Sequence, residues 1–151
     1  MNKFSLNAAL AGLLFGAAAH VTALEVIDLD QAANFNLVVF EDYRPPSYSS
    51  FTHSVAIGGD MILNDYGFAV DVPGDEKTIS AYIGGDFAFR QGRIFGGSVL
   101  VGGVSQGVVP SVRNSLSQQQ IIVDQVEVGI DFTEWQSALQ SKSQSYSQVK
   151  T

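Results

Sequence analysis

The segment SVAIGGD at residues 54–60 returns as SAYIGGD at 80–86, twenty-six residues further on. Two looser copies follow, RIFGGSVLV from Arg93 and VLVGGVSQG from Val99. Four Gly-Gly pairs, Gly58-Gly59, Gly84-Gly85, Gly96-Gly97 and Gly102-Gly103, therefore fall within one short stretch. Around them, brief apolar runs alternate with Gly-Gly, Asn-Asp and Tyr-Gly breaks. Strands this short, joined by bends of one to three residues, do not suit hairpins, whose strands run longer between two-residue turns. They suit a β-solenoid, in which each coil is two or three short strands and stacks about 4.8 Å from the next. Glycine at the corners supplies positive φ and lets neighbouring coils approach. Asp60 and Asp86 then cap their corners by accepting backbone N–H groups. The pairs are spaced by 26, 12 and 6 residues, not by the single period of a strict array. The coils must differ in size, so the expected fold is mainly β, an irregular β-solenoid, with a β-sandwich or Greek-key barrel as the alternative.

FNLVVFEDY (35–43) reads as a buried strand, and RPPSYSS (44–50) breaks it. The character of the chain changes at Asp131, a candidate N-cap with Glu134 three residues later, as in a capping box. A helix is expected over about 131–150, with Phe132, Trp135, Leu139, Tyr146 and Val149 near one stripe that packs alongside the sheet. Twenty helical residues span about 30 Å, or roughly six coils at about 4.8 Å each. Residues 35–128 supply four or five. The helix is therefore expected to outrun the solenoid, with further sheet following Thr151 and this copy incomplete at its C-terminus; a frayed or partner-facing helix end is the alternative.

Residues 1–23 combine Lys3, an apolar run from Ala8 to Ala19, and the small-residue signature Val21-Thr22-Ala23. They read as a secretory signal peptide, with a buried N-terminal helix as the alternative. The mature chain, 24–151, is then one domain, secreted or displayed on the cell surface. Without Lys3 it carries seven basic against fifteen acidic residues. An acidic chain repels phosphate, which argues against a nucleic-acid partner. There is no cysteine, so packing and backbone hydrogen bonds must hold the fold without disulfides. The mature chain has no apolar stretch long enough for a transmembrane segment.

Little in the chain suggests catalysis. His53 is the one histidine of the mature chain, and no nucleophile elbow accompanies it. Neither a catalytic nor a metal site is assigned, and no cofactor is expected. Calcium on Asp28, Asp30, Asp60, Asp65, Asp71 and Asp86 would need a spacing that is not there. Gly-rich residues 92–107 lack the Gly-Lys-Ser/Thr of a phosphate loop. Arg90 and Arg93 with Asp86 would suit a polysaccharide lyase, and an ion pair between neighbouring strands would explain them equally.

The residues ANFNLVVFEDY (33–43), HSVAIGGDMIL (53–63), YIGGDFAFRQGRIFGGSVLVGG (82–103) and IDFTEWQSAL (130–139), in that order, resemble the choice-of-anchor A domain. That secreted or surface-displayed module is related to ice-binding-like adhesive domains. His53-Ser54 stands where the family commonly has Gly-Arg. The resemblance implies a β-solenoid with a long helix alongside it. It also implies a non-enzymatic adhesive or structural role toward a surface, glycan or matrix-protein partner. Ice binding is the second reading, weakened by the scarcity of threonines (52, 78, 133 and 151 in the mature chain) and the lack of a Thr-x-Thr ladder. A polysaccharide-active enzyme on a solenoid is the third.

Overall fold

The computed structural model describes residues 30–75 and 77–148. The expected signal peptide and the last two expected helix residues lie outside them. A 3-10 turn, Asp30–Asn34, leads into three stacked parallel sheets that wrap a triangular core. The first sheet holds β1 (Leu37–Val39), β3 (Val55–Ile57), β6 (Ile79–Ile83), β9 (Ser98–Val101) and β11 (Ile122–Val123) in that order. The second holds β4 (Met61–Leu63), β7 (Phe87–Phe89) and β10 (Gly107–Val108), with Tyr43 bridging to Met61 at its edge. The third holds β2 (Ser49–Phe51), β5 (Tyr66–Phe68) and β8 (Gly92–Ile94). The chain visits the three sides in turn, so all strand pairings are parallel. The architecture is an irregular β-solenoid with one long C-terminal helix.

Three-residue strands work because alternation needs only in, out, in. Met61, Leu63, Tyr66, Phe68, Phe87 and Phe89 point inward and are buried, while Ile62, Gly67 and Ala88 between them are partly exposed. Stacked coils place like on like: Met61 over Phe87, Phe68 over Ile94, Ile57 over Ile83 over Val101. Each larger buried side chain stabilises the fold by about 1.5–3 kcal/mol, and this interior takes the place of disulfides. The stretch 35–43, read as one buried strand, forms only the short edge strand β1, whose three residues are half-buried. No coil stacks on its other side among the described residues, so the first coil closes the core from one face only.

Val55 pairs with Leu37, Ala81 with Val55, Val99 with Ala81 and Ile122 with Val99, so the coils take 18, 26, 18 and 23 residues. The longer second coil holds an excursion between β5 and β6, residues 69–78, where the Asp75 carboxylate accepts N–H bonds from Lys77 (3.0 Å) and Thr78 (2.7 Å). In the fourth coil a short helix, α1 (Pro110–Arg113), packs against β8 and stands where the third strand would be. Val112 fills the core, and Arg113 donates to the carbonyls of Val108 and Ser105 and to the Ser105 hydroxyl.

The long helix is α2 (Phe132–Gln148). Asp131 caps it through a 2.9 Å bond from the Glu134 N–H to its carboxylate. Its docking is aromatic. Trp135 meets Phe35 and Phe132, and Phe35 sits edge-on to Tyr82 on the outer row of the first sheet. None of its residues is buried.

Candidate functional site

Three of the four Gly-Gly pairs share one corner, between the first and second sheets. Gly84 donates to Ile57 and Gly102 to Ile83 (2.8 and 2.7 Å), while Gly85 donates to Gly59 and Gly103 to Gly85 (both 2.9 Å). A methyl group at Gly58, Gly84 or Gly102 would collide with the carbonyl of the coil beneath. Here glycine serves close approach, and φ is positive at none of these six residues. Gly96-Gly97 belongs to the corner between the third and first sheets. Gly97 has φ +65° and donates a 2.8 Å bond to the Pro73 carbonyl, and a side chain at Gly96 would strike Val72 of the excursion. Left-handed residues that the repeat did not flag stand between the second and third sheets, at Tyr48 (φ 64°) and Asp65 (φ 55°), and directly after β5, at Ala69 (φ 57°).

Beside the Gly-Gly stack runs a ladder of carboxylates. Asp42 accepts the N–H of Asp60, Asp60 that of Asp86, and Asp86 that of Val104, each at 2.9 Å. Asp42 was not singled out by sequence, because Phe40-Glu41 precede it instead of Gly-Gly. Ser54, Ser80 and Ser98 mark the starts of the same repeat on the first sheet. Ser54 and Ser80 donate to the carbonyls of Ile79 and Ser98, and Ser98 accepts from Ile121 N–H. Alignment on Ser98-Val-Leu-Val-Gly-Gly would have exposed that third copy and its offset of 18 residues.

The catalytic combinations do not assemble. Asp86 lies in the Gly-Gly corner and Arg93 on the third sheet, so the ion pair between neighbouring strands is not formed; among the described residues the ion pair is Arg44–Asp42, at 3.4 Å. His53 is exposed, its ring Nδ1 2.9 Å from the Thr52 hydroxyl and its N–H on the Asn36 side chain. No group of three or more His, Cys, Asp or Glu able to hold a metal occurs among the described residues. No helix among them is long and apolar enough to cross a membrane. An open groove of about 520 Å³ lies between the 3-10 turn and α2, lined by Gln31, Asn34, Trp135, Leu139 and Lys142 among others. Its lining joins apolar and polar side chains.

The outer faces remain. On the first sheet the outward row is Val38, Ala56, Tyr82, Leu100 and Val123, in register; Ala56 is fully buried, and Tyr82 lies under Phe35. The second sheet presents Ile62, Ala88 and Gly107, and the third Ser50, Gly67 and Arg93. Both rows are partly or fully exposed. At the margins of the third sheet stand Tyr48, 87% exposed, and Phe95, 46% exposed. The Arg93 guanidinium lies 5.3 Å from the centre of the Phe95 ring. The described threonines fall elsewhere: Thr52 on a corner, Thr78 in the excursion and Thr133 on α2.

The family described as "Putative Ice-binding-like adhesive domain" matches the chain over residues 28–151. No curated protein and no solved structure matches it.

Proposed function

Because this chain belongs to the family of ice-binding-like adhesive domains, we propose that it is an exported, non-enzymatic adhesive module of the choice-of-anchor A type. Through the open outer faces of its second and third sheets it holds a surface, glycan or matrix protein outside the cell. Residues 1–23 act as its signal peptide. The observation that carries this reading is the division of the three faces. Phe35, after the 3-10 turn, and Trp135 of α2 lie against the first, while the outward rows of the other two are partly or fully exposed. Such a surface acts by many small contacts rather than by a pocket. The matched family is one of adhesive domains, not a known enzyme family.

Ice binding ranks second, since none of the described threonines stands on an outward sheet row. Residues 24–151, incubated with immobilised glycans, cell-wall particles and matrix proteins, are expected to be retained without releasing soluble products, and to leave ice recrystallisation unchanged. Retention on none of these surfaces, or turnover of a bound glycan, sinks the adhesive reading; inhibited ice growth replaces it with the second.

A further inference from the structure

The third sheet carries an unusual set of groups for so acidic a chain. Its outward row is Ser50, Gly67 and Arg93, paired in register across β2, β5 and β8. Gly67 leaves that row one side chain deep in the middle. A methyl group there would sit 3.3 Å from the Ser50 Cβ and 3.6 Å from the Phe95 ring, so the recess is walled by Phe95 and edged by Ser50. Arg93 lies against the same ring at 5.3 Å. Arg90 stands on the neighbouring corner, three residues before it and exposed. The chain has fifteen Asp and Glu against eight Lys and Arg. Even so, neither Arg90 nor Arg93 forms an ion pair or a side-chain hydrogen bond among the described residues.

We infer that this recess is a binding subsite for a uronate-bearing polysaccharide, with Phe95 stacking on a sugar ring above Gly67 and Arg93 holding its carboxylate. The inference rests on the adhesive reading and names the ligand class for one of its faces. A guanidinium stacked on an aromatic ring keeps its N–H edge free, and that planar fork matches a carboxylate with two parallel hydrogen bonds. The ring that orients it remains nearly half exposed and offers an apolar face to the C–H side of a pyranose. Neighbouring strands lie about 4.8 Å apart, close to the length of one sugar residue, so successive sugars can follow Ser50, Gly67 and Arg93 along the stack. Arg90 supplies a second cation at the rim. The complementarity is of charge and shape together: two unpaired cations and an aromatic wall around a floor without a side chain.

The test is equilibrium binding of residues 24–151 to polygalacturonate, to the same polymer fully methyl-esterified, and to neutral dextran. The free acid is expected to bind at least about tenfold more tightly than the ester, the scale of one lost charge-assisted hydrogen bond. Arg93→Gln and Phe95→Ala should each weaken binding by about tenfold or more, and Arg93→Lys should recover only part of it, because an ammonium cannot form the fork. Thermal melts unchanged in these exposed-site variants would show that folding is intact. Equal binding of acid and ester, or variants that bind polygalacturonate as the parent does, overturns the inference. Retention on other surfaces with none on polygalacturonate overturns it too, while leaving the adhesive reading standing; retention on no surface removes both.

Discussion

Asp60 is held at both ends of its residue: its N–H donates to the Asp42 carboxylate and its own carboxylate accepts from Asp86 N–H. Three stacked carboxylates repel one another, and the backbone donors are what make the stack tolerable. Asp60→Asn keeps an acceptor oxygen and removes a charge, so urea unfolding should shift by less than about 0.5 kcal/mol. Asp60→Ala leaves the Asp86 N–H without that partner and should cost about 1–2 kcal/mol. An Asn variant as damaged as the Ala variant would show that charge, not the hydrogen bond, is what the ladder needs. Gly84 answers to a different demand. Its missing side chain is the space taken by the Gly58 carbonyl, so Gly84→Ala forces two coils apart and should cost about 2–4 kcal/mol. Gly129, with φ +73° but nothing within 4 Å, should lose only about 1 kcal/mol as Ala. Thermal melts of the two variants compare close approach with backbone strain directly, and equal losses would contradict the assignment.

At the scale of elements, strands and helix are held by different means. β5 and β7 bury Phe68, Phe87 and Phe89 almost completely, whereas α2 buries no residue and rests on the Phe132–Trp135–Phe35–Tyr82 contacts. Phe68→Ala should therefore cost about 3–5 kcal/mol. Trp135→Ala, at a half-buried position, should cost clearly less. Hydrogen exchange should separate them further: α2 amides exchange by local opening while those of β6 and β9 wait for global unfolding. Protection of α2 equal to that of β6 would mean that the helix is integral to the core. The helix was legible in the sequence from its cap, since Asp131 and Glu134 are neighbours along the chain. How lightly it docks was not, because amphipathic spacing shows which side is apolar and not how closely another element approaches it.

For the whole molecule, the first coil leaves its end of the core lined by half-buried residues. Tyr43, bridging to Met61 there, stacks near Phe51, which in turn meets Tyr66. Burial, and after it the Tyr66 phenol, push the Tyr43 hydroxyl up to about 12 from its ordinary 10.0. A folded-state value above the unfolded one means that the fold holds the proton more tightly. The associated stability is complete below pH 10 and is lost as pH rises from 10 toward 12. Circular dichroism should show alkaline unfolding in that window, and Tyr43→Phe should move its onset upward; an unchanged onset would remove Tyr43 from the account. Asp75 works at the other end of the scale. The backbone N–H of Thr78, first among its partners, lowers its carboxyl, so what it contributes is present above the ordinary carboxylate range and fades as pH falls through the lowered value.

The solenoid itself was readable because its cause is local: strands of two to five residues, broken by Gly-Gly, cannot close a core except by stacking. The capped start of α2 has the same short-range origin, whereas Asp60 and Asp86 accept N–H groups 26 and 18 residues away on the next coil. Register does not. The excursion at 69–78 stretches one coil to 26 residues while its neighbours take 18, so sequence spacing alone does not tell that Gly96-Gly97 turns a different corner from the other three pairs. A slip of one residue turns every side chain to the opposite face. For that reason Arg90 and Arg93 could be set against Asp86 on paper, and only the folded stack shows them a sheet apart, with Arg93 laid on Phe95. Residues along the chain determined that this protein coils. Pairing between residues 18 or 26 apart decided which side chains meet on each face, because hydrogen bonding between coils, not order in the chain, sets what lies above what.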